Sequence, residues 1–132
     1  MAVNIQLRAG VIEAIASGTI TADDLQQCLK VIEAFESQLP VTPNRITDLS
    51  TANFSELRSS DLIAIAQVRQ AAKLKNKVKS AIIASSPEQY GLARMFLSYN
   101  QNPSIEIMIF RKILPAYEWV GIKPRLIDES NS

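Results

Sequence analysis

Hydroxyl and carboxylate side chains that could take part in chemistry are grouped where predicted strands end. Asp48 and Ser50 close the third predicted strand, and Ser86 follows the fourth strand, which is almost uniformly apolar towards its end. Ligands and partners of open α/β sheets gather beyond the carboxyl ends of the strands. The sequence therefore predicts an exposed working surface at the loops after these strands, with residues 50–60 as the first candidate.

Two adjacent serines, Ser59 and Ser60, precede the next predicted helix and have two interpretations. In the first, one of them caps the helix, because a serine oxygen readily accepts a hydrogen bond from an unpaired amide of the first turn. In the second, one of them is phosphorylated, since a phosphate at a helix start meets a favourable dipole and unpaired amides. The carboxylate of Asp61 would oppose such a phosphate. Both interpretations stay open at this point.

A second candidate site begins at Ser86, which opens the third predicted helix, with Arg94 two turns further on. The helix amides and the guanidinium group could together hold an anionic head group. The neighbours that could line a pocket beside it are Tyr90, Met95 and Phe96. In the alternative interpretation, Arg94 pairs with a carboxylate such as Asp48 or Glu88, and the aromatic side chains belong to the core.

The chain lacks most of the residues on which catalysis usually depends. It contains no histidine, which is the commonest general base and the commonest metal ligand. Its one cysteine, Cys28, cannot form an internal disulfide and is predicted to be a small core residue. The four glycines are isolated, so neither a dinucleotide fingerprint nor a P-loop is present. A hydrolase would have to use Ser50 with Asp48. We expect that the protein is not an enzyme and that it binds neither a metal nor a cofactor.

The overall charge and hydropathy exclude several other classes of protein. A net charge of +1 provides no general attraction for nucleic acid or anionic lipid. The longest unbroken apolar run, residues 62–66, is far shorter than the ~20 residues of a membrane span. The first residues have neither the basic start nor the apolar stretch of a secretory signal. These features predict a cytoplasmic protein.

A basic stretch runs from residue 69 to residue 79 without an intervening acid. Its cations are Arg69, Lys73, Lys75, Lys77 and Lys79. Cations complement the dipole at the C-terminal end of a helix, so a solvated helix end is the first interpretation. Docking onto anionic lipid is the alternative. Binding of nucleic acid is not expected, because aromatic residues do not alternate with these lysines.

The pattern of hydrophobic residues predicts the elements that must position these side chains. Val3, Ile5 and Leu7 alternate with polar residues, and the short turn that follows indicates an antiparallel hairpin. Thr21 is predicted to cap the first helix. The order β-β-α-β-α-β-α-β-α predicts an α/β domain over residues 3–121, followed by a tail over residues 122–132. Its five-stranded mixed sheet is expected to be mostly parallel, with an antiparallel first strand and about four helices.

This order of elements, together with three segments, resembles the small bacterial STAS-like proteins. These proteins are also called SpoIIAA-like, after the anti-sigma-factor antagonists whose fold they share. The segments that carry the resemblance are Asp48–Ser50, Tyr90–Phe96 and Phe110–Gly121. Most members of the group have no established activity, so the resemblance implies a fold more than a function.

The resemblance also implies a place for protein contact. In anti-sigma-factor antagonists an aromatic residue and an Asp-Ser-Ser-Gly-Leu turn follow the strand, and phosphorylation of a serine there disrupts binding of a kinase partner. Here Phe54 is the aromatic residue, and Ser59 and Ser60 are the serines. Two extra residues intervene, while Arg58 replaces the aspartate and Asp61 replaces the glycine.

Two hypotheses of function follow. In the first, the domain is a non-enzymatic regulatory module that contacts another protein through Asp48, Ser50, Phe54, Ser59 and Ser60. It could also form a homodimer, because a terminal hairpin leaves a sheet edge free. In the second, prompted by the related lipid-carrier architecture of the CRAL-TRIO type, it carries or senses a small amphiphilic anion. The residues of that second site are Ser86, Tyr90, Arg94 and Met95.

Overall fold

A computed structural model describes residues 2–124 of the protein as a five-stranded mixed sheet with four helices. The strands are β1 (Val3–Arg8), β2 (Val11–Thr19), β3 (Asn44–Asn53), β4 (Val78–Ile83) and β5 (Ile105–Phe110), and the helices are α1 (Ala22–Gln38), α2 (Ser59–Ala71), α3 (Pro87–Tyr99) and α4 (Ile113–Val120). The strands lie side by side in chain order, with β1 antiparallel to β2 and the others parallel. The predicted fold class and topology are therefore confirmed.

Alternate residues of the central strands face two different layers of helices. Ile46, Ala81 and Ile83 pack against α4 on one face. On the other face Ile82 packs against Ala93 of α3, within the layer formed by α1, α2 and α3. Because both faces of β4 are covered, five of its six residues are buried, and the strand ends in the apolar run Ala81–Ile83. The loops that carry the candidate residues therefore lie at an edge of the sheet and not on its faces.

Two helix starts were correctly predicted from local sequence. Thr21 caps α1 by accepting the N–H of Asp24, while the Asp24 side chain accepts the N–H of Thr21. Ser86 and Gln89 form the same reciprocal arrangement at α3, with Pro87 in its first turn. Each pair satisfies two amides that the helix itself leaves unpaired.

Strand boundaries depart from the prediction at β2 and β3. The Ser17-Gly18 pair is typical of a break and predicts that β2 stops there, but this prediction is wrong, because both residues pair with Thr51 and Ala52 of β3. Gly18 adopts a φ of +68°, which glycine accommodates at low cost. As β3 continues to Asn53, the loop before α2 is shorter than expected from the sequence.

The end of the chain differs from the prediction in its details. Pro115 and Gly121 are typical of a helix start and a helix end, but α4 begins at Ile113, before Pro115, and ends at Val120 with Gly121 as its C-cap. Ile122 packs against the cluster below α4, and the carbonyl of Lys123 accepts a hydrogen bond from Arg8 at 2.7 Å. The rest of the predicted tail, residues 125–132, lies outside the described residues. Within residues 2–124, no helix combines the length and apolar character that crossing a membrane requires.

A fully buried carboxylate, Glu13, connects the hairpin to α4. It accepts hydrogen bonds from Arg8 Nε at 2.7 Å, from the Tyr117 hydroxyl at 2.7 Å and from Gln6 Nε2 at 3.3 Å. Burial acts to raise the pKa of Glu13, but these donors outweigh it and hold the pKa at about 2, below the ordinary 4.5. Burial and the Glu13 carboxylate raise the pKa of Tyr117, which keeps its hydroxyl a donor. This network fixes α4 against one face of the sheet.

Glu13→Gln should lower the free energy of unfolding at pH 7 by about 2 kcal/mol, because hydrogen bonds to a charged acceptor are lost. Since the folded pKa lies below the unfolded one, this stabilisation is present above pH 4.5 and is lost as the pH falls towards 2. Urea unfolding at several pH values measures the difference in the free energy of unfolding between the variant and the wild type. This difference should narrow steadily below pH 4.5. Glu33→Gln, at an exposed position of α1, is the matched control. A difference that is independent of pH would contradict the role of the carboxylate.

Candidate functional site

A β-bulge shapes the carboxyl end of β3. Ile15 pairs with Asp48 and Ser17 pairs with Thr51, so Leu49 and Ser50 together oppose one residue of β2. The Asp48 carboxylate accepts the N–H of Ser50 at 2.9 Å and its hydroxyl at 2.6 Å. Ser50 lines a surface depression at the carboxyl edge of the sheet.

The α3 start lies at the same edge and is joined to β3 by one buried side chain. Gln89 donates to the carbonyls of Ser50 at 3.3 Å and Ala52 at 3.1 Å. Its carbonyl oxygen accepts the N–H groups of Ser85 at 3.0 Å and Ser86 at 3.1 Å. The two candidate sites predicted from sequence are therefore neighbours on one edge, as the parallel topology requires.

The β3–α2 loop, residues 54–58, is anchored at two apolar positions. Phe54 and Leu57 pack into the cluster around Ile20, and the N–H of Leu57 donates to the carbonyl of Phe54 at 3.0 Å. The Asn53 side chain accepts the N–H of Ser55 at 2.8 Å, which orders the entry to the loop. The remaining side chains, Ser55, Glu56 and Arg58, are exposed. The loop thus presents a polar surface on a fixed base.

The expectation that Ser59 or Ser60 caps α2 was wrong. The N-cap is Arg58, whose N–H donates to the Asp61 carboxylate at 3.0 Å. Ser59 and Ser60 instead lie in the first helical turn and are exposed. In α1 the acidic residue three positions after the cap is Asp24, and it likewise accepts the N–H of the cap residue. That spacing was the signal for the true boundary.

The predicted partners of Arg94 are separated in the structure. Arg94 is exposed, and its guanidinium carbon lies 5.9 Å from the centroid of the Tyr90 ring. Arg111 lies over the same ring at 5.0 Å. Within residues 2–124, Arg94 forms no ion pair with Asp48 or Glu88, so that expected pairing was wrong. Met95 is half-buried on the same helix.

A cavity of about 160 Å³ lies between the sheet and the layer of three helices, and we call it the central cavity. Its helical lining is almost entirely apolar and comes from all three helices, at Leu25, Leu29, Leu62, Ile65, Leu92 and Phe96. Thr47 and Leu49 of β3 and Ile82 of β4 form its floor. The side of α3 that carries Ala93 faces it.

Two buried arginines close one end of the central cavity. Arg45 and Arg69 are 6% and 4% exposed, and both share the carboxylate of Glu36. Arg69 makes two parallel hydrogen bonds to it at 2.9 and 2.7 Å, and Arg45 makes one at 2.9 Å. Two cations and one anion leave one net positive charge. The Nε atoms of both arginines are buried and have no hydrogen-bond partner among residues 2–124.

The ionisation of this cluster follows from its burial and its charges. Burial, and then the charge of Arg69, lower the pKa of Arg45 to about 10, so it remains a cation at neutral pH. Burial acts to raise the pKa of Glu36, but the hydrogen bond from Arg69 and the charge of Arg45 lower it below its usual range. Burial raises the pKa of Cys28 in the cavity wall to about 11, so it stays a neutral thiol.

Sequence reasoning missed the two arginines as functional candidates. Arg69 was grouped with the basic stretch, although it continues the apolar face of α2 formed by Leu62 and Ile65. The interpretation of the stretch as capping its own helix was also wrong for Lys75. Its ammonium group donates to the carbonyl of Glu36 at 3.0 Å and to other carbonyls at the end of α1. Within residues 2–124, no group of three acidic, cysteine or histidine side chains could hold a metal ion.

Removing Glu36 should destabilise the fold more than removing Arg45. Glu36→Gln leaves two buried cations uncompensated and should lower the free energy of unfolding by roughly 3–5 kcal/mol. Arg45→Met leaves one balanced pair with Arg69, so its loss should be less than half as large. Urea unfolding of both variants at pH 7 compares them directly. Equal losses in the free energy of unfolding of the two variants would contradict a surplus of positive charge in this cluster.

The fold is similar to that of an uncharacterised protein from the DUF3478 family, with a SpoIIAA-like fold, from Shewanella loihica PV-4. The TM-score is 0.60 at 17% sequence identity, and the similarity covers 90% of this chain and 92% of that chain. No protein-family model and no curated protein matches the chain. At this level of identity the likeness shows the fold, and the SpoIIAA-like fold expected from the sequence is confirmed.

Proposed function

We propose that the protein is a non-enzymatic regulatory module of the STAS type that contacts another protein. The contact surface is the β3–α2 loop together with the first turn of α2. Phe54 and Leu57 hold this loop in place, so its exposed polar groups are ordered before a partner arrives. Preorganisation of this kind lowers the entropy that binding costs. The SpoIIAA-like fold adds support, because anti-sigma-factor antagonists use the corresponding loop.

The observation that carries this proposal is that Ser59 and Ser60 are exposed without capping α2. A role as helix cap would have explained them structurally, but the N-cap is Arg58, whose N–H donates to the Asp61 carboxylate. A phosphate on either serine would lie at the positive end of the helix, beside Arg58. It would also face the Asp61 carboxylate. Phosphorylation would therefore change the charge at the centre of the contact surface and switch binding off.

Catalysis is the weaker interpretation of the same edge. The Ser50 hydroxyl donates to Asp48, and the N–H of Ser50 donates to the same carboxylate oxygen. This arrangement stabilises the bulge. The chain has no histidine that could take the serine proton. We therefore assign Asp48 and Ser50 to shaping the contact surface.

Location and assembly follow from the same reasoning. The single free cysteine suits a reducing compartment, so we place the protein in the cytoplasm. Strand β1 forms one edge of the sheet and carries a partly exposed Leu7. A homodimer formed through this edge is compatible with a free β3–α2 loop, because the loop lies at the carboxyl end of β2 and the hairpin turn lies at its other end.

Binding of an anionic head group at Ser86, Tyr90, Arg94 and Met95 is the second candidate. Two guanidinium groups, those of Arg94 and Arg111, lie over the Tyr90 ring and make this surface positive. The Ser86 hydroxyl already accepts the N–H of Gln89 at 3.1 Å. Because Arg94 is exposed, the apolar part of an amphiphile would stay in contact with water there. Protein contact therefore ranks above it.

Site-specific photo-crosslinking tests the proposed contact surface. A photoreactive residue at Ser55 should capture a discrete partner in host cells, and the same residue at exposed Ser37 of α1 should not. Ser59→Glu together with Ser60→Glu should reduce the adduct roughly tenfold, because like-charge repulsion at an interface costs more than 1 kcal/mol. The matched Ser→Ala pair should leave it unchanged. Equal capture from Ser37, or no effect of the glutamates, would refute the proposed surface.

A further inference from the structure

The central cavity has one cationic end and one apolar end. Residues 45, 47 and 49 of β3 follow one another along its floor, since alternate residues of a strand share a face. Arg45 therefore lies about 13 Å from Leu49 along the strand. Arg69 joins Arg45 at the first end, and Phe54 joins Leu49 at the other. This polarity matches a molecule with a charged head and an apolar body.

The charge of the cationic end is incompletely balanced. Glu36 neutralises one of the two buried guanidinium groups, and one positive charge remains. Both Nε atoms are buried without a partner among the described residues. A buried charge without compensation costs several kcal/mol. A buried donor without an acceptor also costs free energy, but less. A ligand that brings one negative charge and two acceptor oxygens would relieve both costs.

A carboxylate fits these requirements better than other anions. Its single charge would bring the cluster of two arginines and Glu36 to neutrality. Its two oxygens are coplanar and match the planar fork of a guanidinium group. A phosphate monoester carries up to two charges and would leave an excess negative charge in a buried site. Ser80 and Asn100 line the same region and provide further polar groups.

The volume of the cavity limits the apolar part of the ligand. A protein cavity of about 150 Å³ lined by aliphatic and aromatic side chains binds benzene. The central cavity, at about 160 Å³, has room for a group of similar size. A chain of about six to eight carbons, or a single aromatic ring, would fill it.

We infer that the central cavity binds a small monocarboxylic acid, with its carboxylate on Arg45 and Arg69 and its apolar group between the three helices and the sheet. This site shares Phe54 with the base of the β3–α2 loop, but it includes neither the exposed side chains of that loop nor Arg94. It does not depend on the proposed protein contact. Binding involves no covalent step.

Calorimetric titration of the full chain with octanoate and with 1-octanol tests the inference. The two probes share an apolar chain and differ in the charged head. Octanoate should bind with a stoichiometry of one and at least tenfold more tightly than octanol, since one charge-assisted contact contributes that much. Equal affinity for the two probes, or no saturable binding of octanoate up to its solubility limit, would overturn it.

Variants locate the site. Arg45→Met should weaken octanoate binding at least tenfold and leave octanol binding unchanged, whereas Lys30→Met, at an exposed position of α1, should alter neither. Loss of octanoate binding in Arg94→Met but not in Arg45→Met would place the site on the surface of α3 and refute the cavity. Circular dichroism establishes that each variant is folded.

A measurement on the wild type keeps the inference testable if Arg45→Met does not fold. Bound octanoate should show intermolecular nuclear Overhauser effects from its methyl end to the side chains of Leu49 and Phe54. Effects confined to exposed residues such as Tyr99, or their absence in a saturated complex, would overturn the inference.

Discussion

The structure depends on covering both faces of the parallel strands. Ile46, Ala81, Ile82 and Ile83 are buried in the middle of the sheet, and a parallel sheet is stable only with helices on each side. One face receives α4, and the other receives α1, α2 and α3. With both faces occupied, the sheet itself can bind a partner or ligand only at its edges or in the spaces left between layers. Both proposals concern those places.

The two layers are attached in different ways. Helix α4 is fixed by apolar packing and by the buried Glu13, whose charge is compensated by Arg8 and by neutral donors. The layer of three helices is fixed partly by Glu36, whose charge is exceeded by that of Arg45 and Arg69. The Glu13 carboxylate thus lies in a network whose hydrogen-bonding groups are satisfied, whereas the Glu36 carboxylate lies in a network with unpaired donors. Only the second kind has a physical reason to bind a further anion.

Features encoded over short stretches of sequence could be predicted. The antiparallel hairpin, the caps at Thr21 and Ser86, and the end of α4 at Gly121 each depend on residues within one turn of chain. The directions of the strands followed from the alternation of strands and helices. The shared edge of Asp48 and Ser86 followed from the parallel direction of their strands.

Features that depend on distant residues could not be predicted in this way. The bulge at Leu49 and Ser50 appears only in the register between β2 and β3. The pairing of Glu36 with Arg69 joins residues 33 positions apart, and one sequence does not indicate which acid meets which base. The cavity reflects how three helices rest on the sheet, which hydrophobic periodicity leaves open. The boundary of α2 is different, because the position of Asp61 could have shown it.

The hydrogen bonds of Gln89 restrict which residues can replace it at this position. Its amide donates to Ser50 and Ala52 while its oxygen accepts from Ser85 and Ser86. Glutamate would set a negative charge against two carbonyl oxygens, and asparagine would fall one methylene short. Glutamine alone has both the length and the two-sided hydrogen-bonding capacity. Among descendants of this sequence, position 89 should therefore vary less than the serines around it, whatever partner or ligand each descendant has acquired.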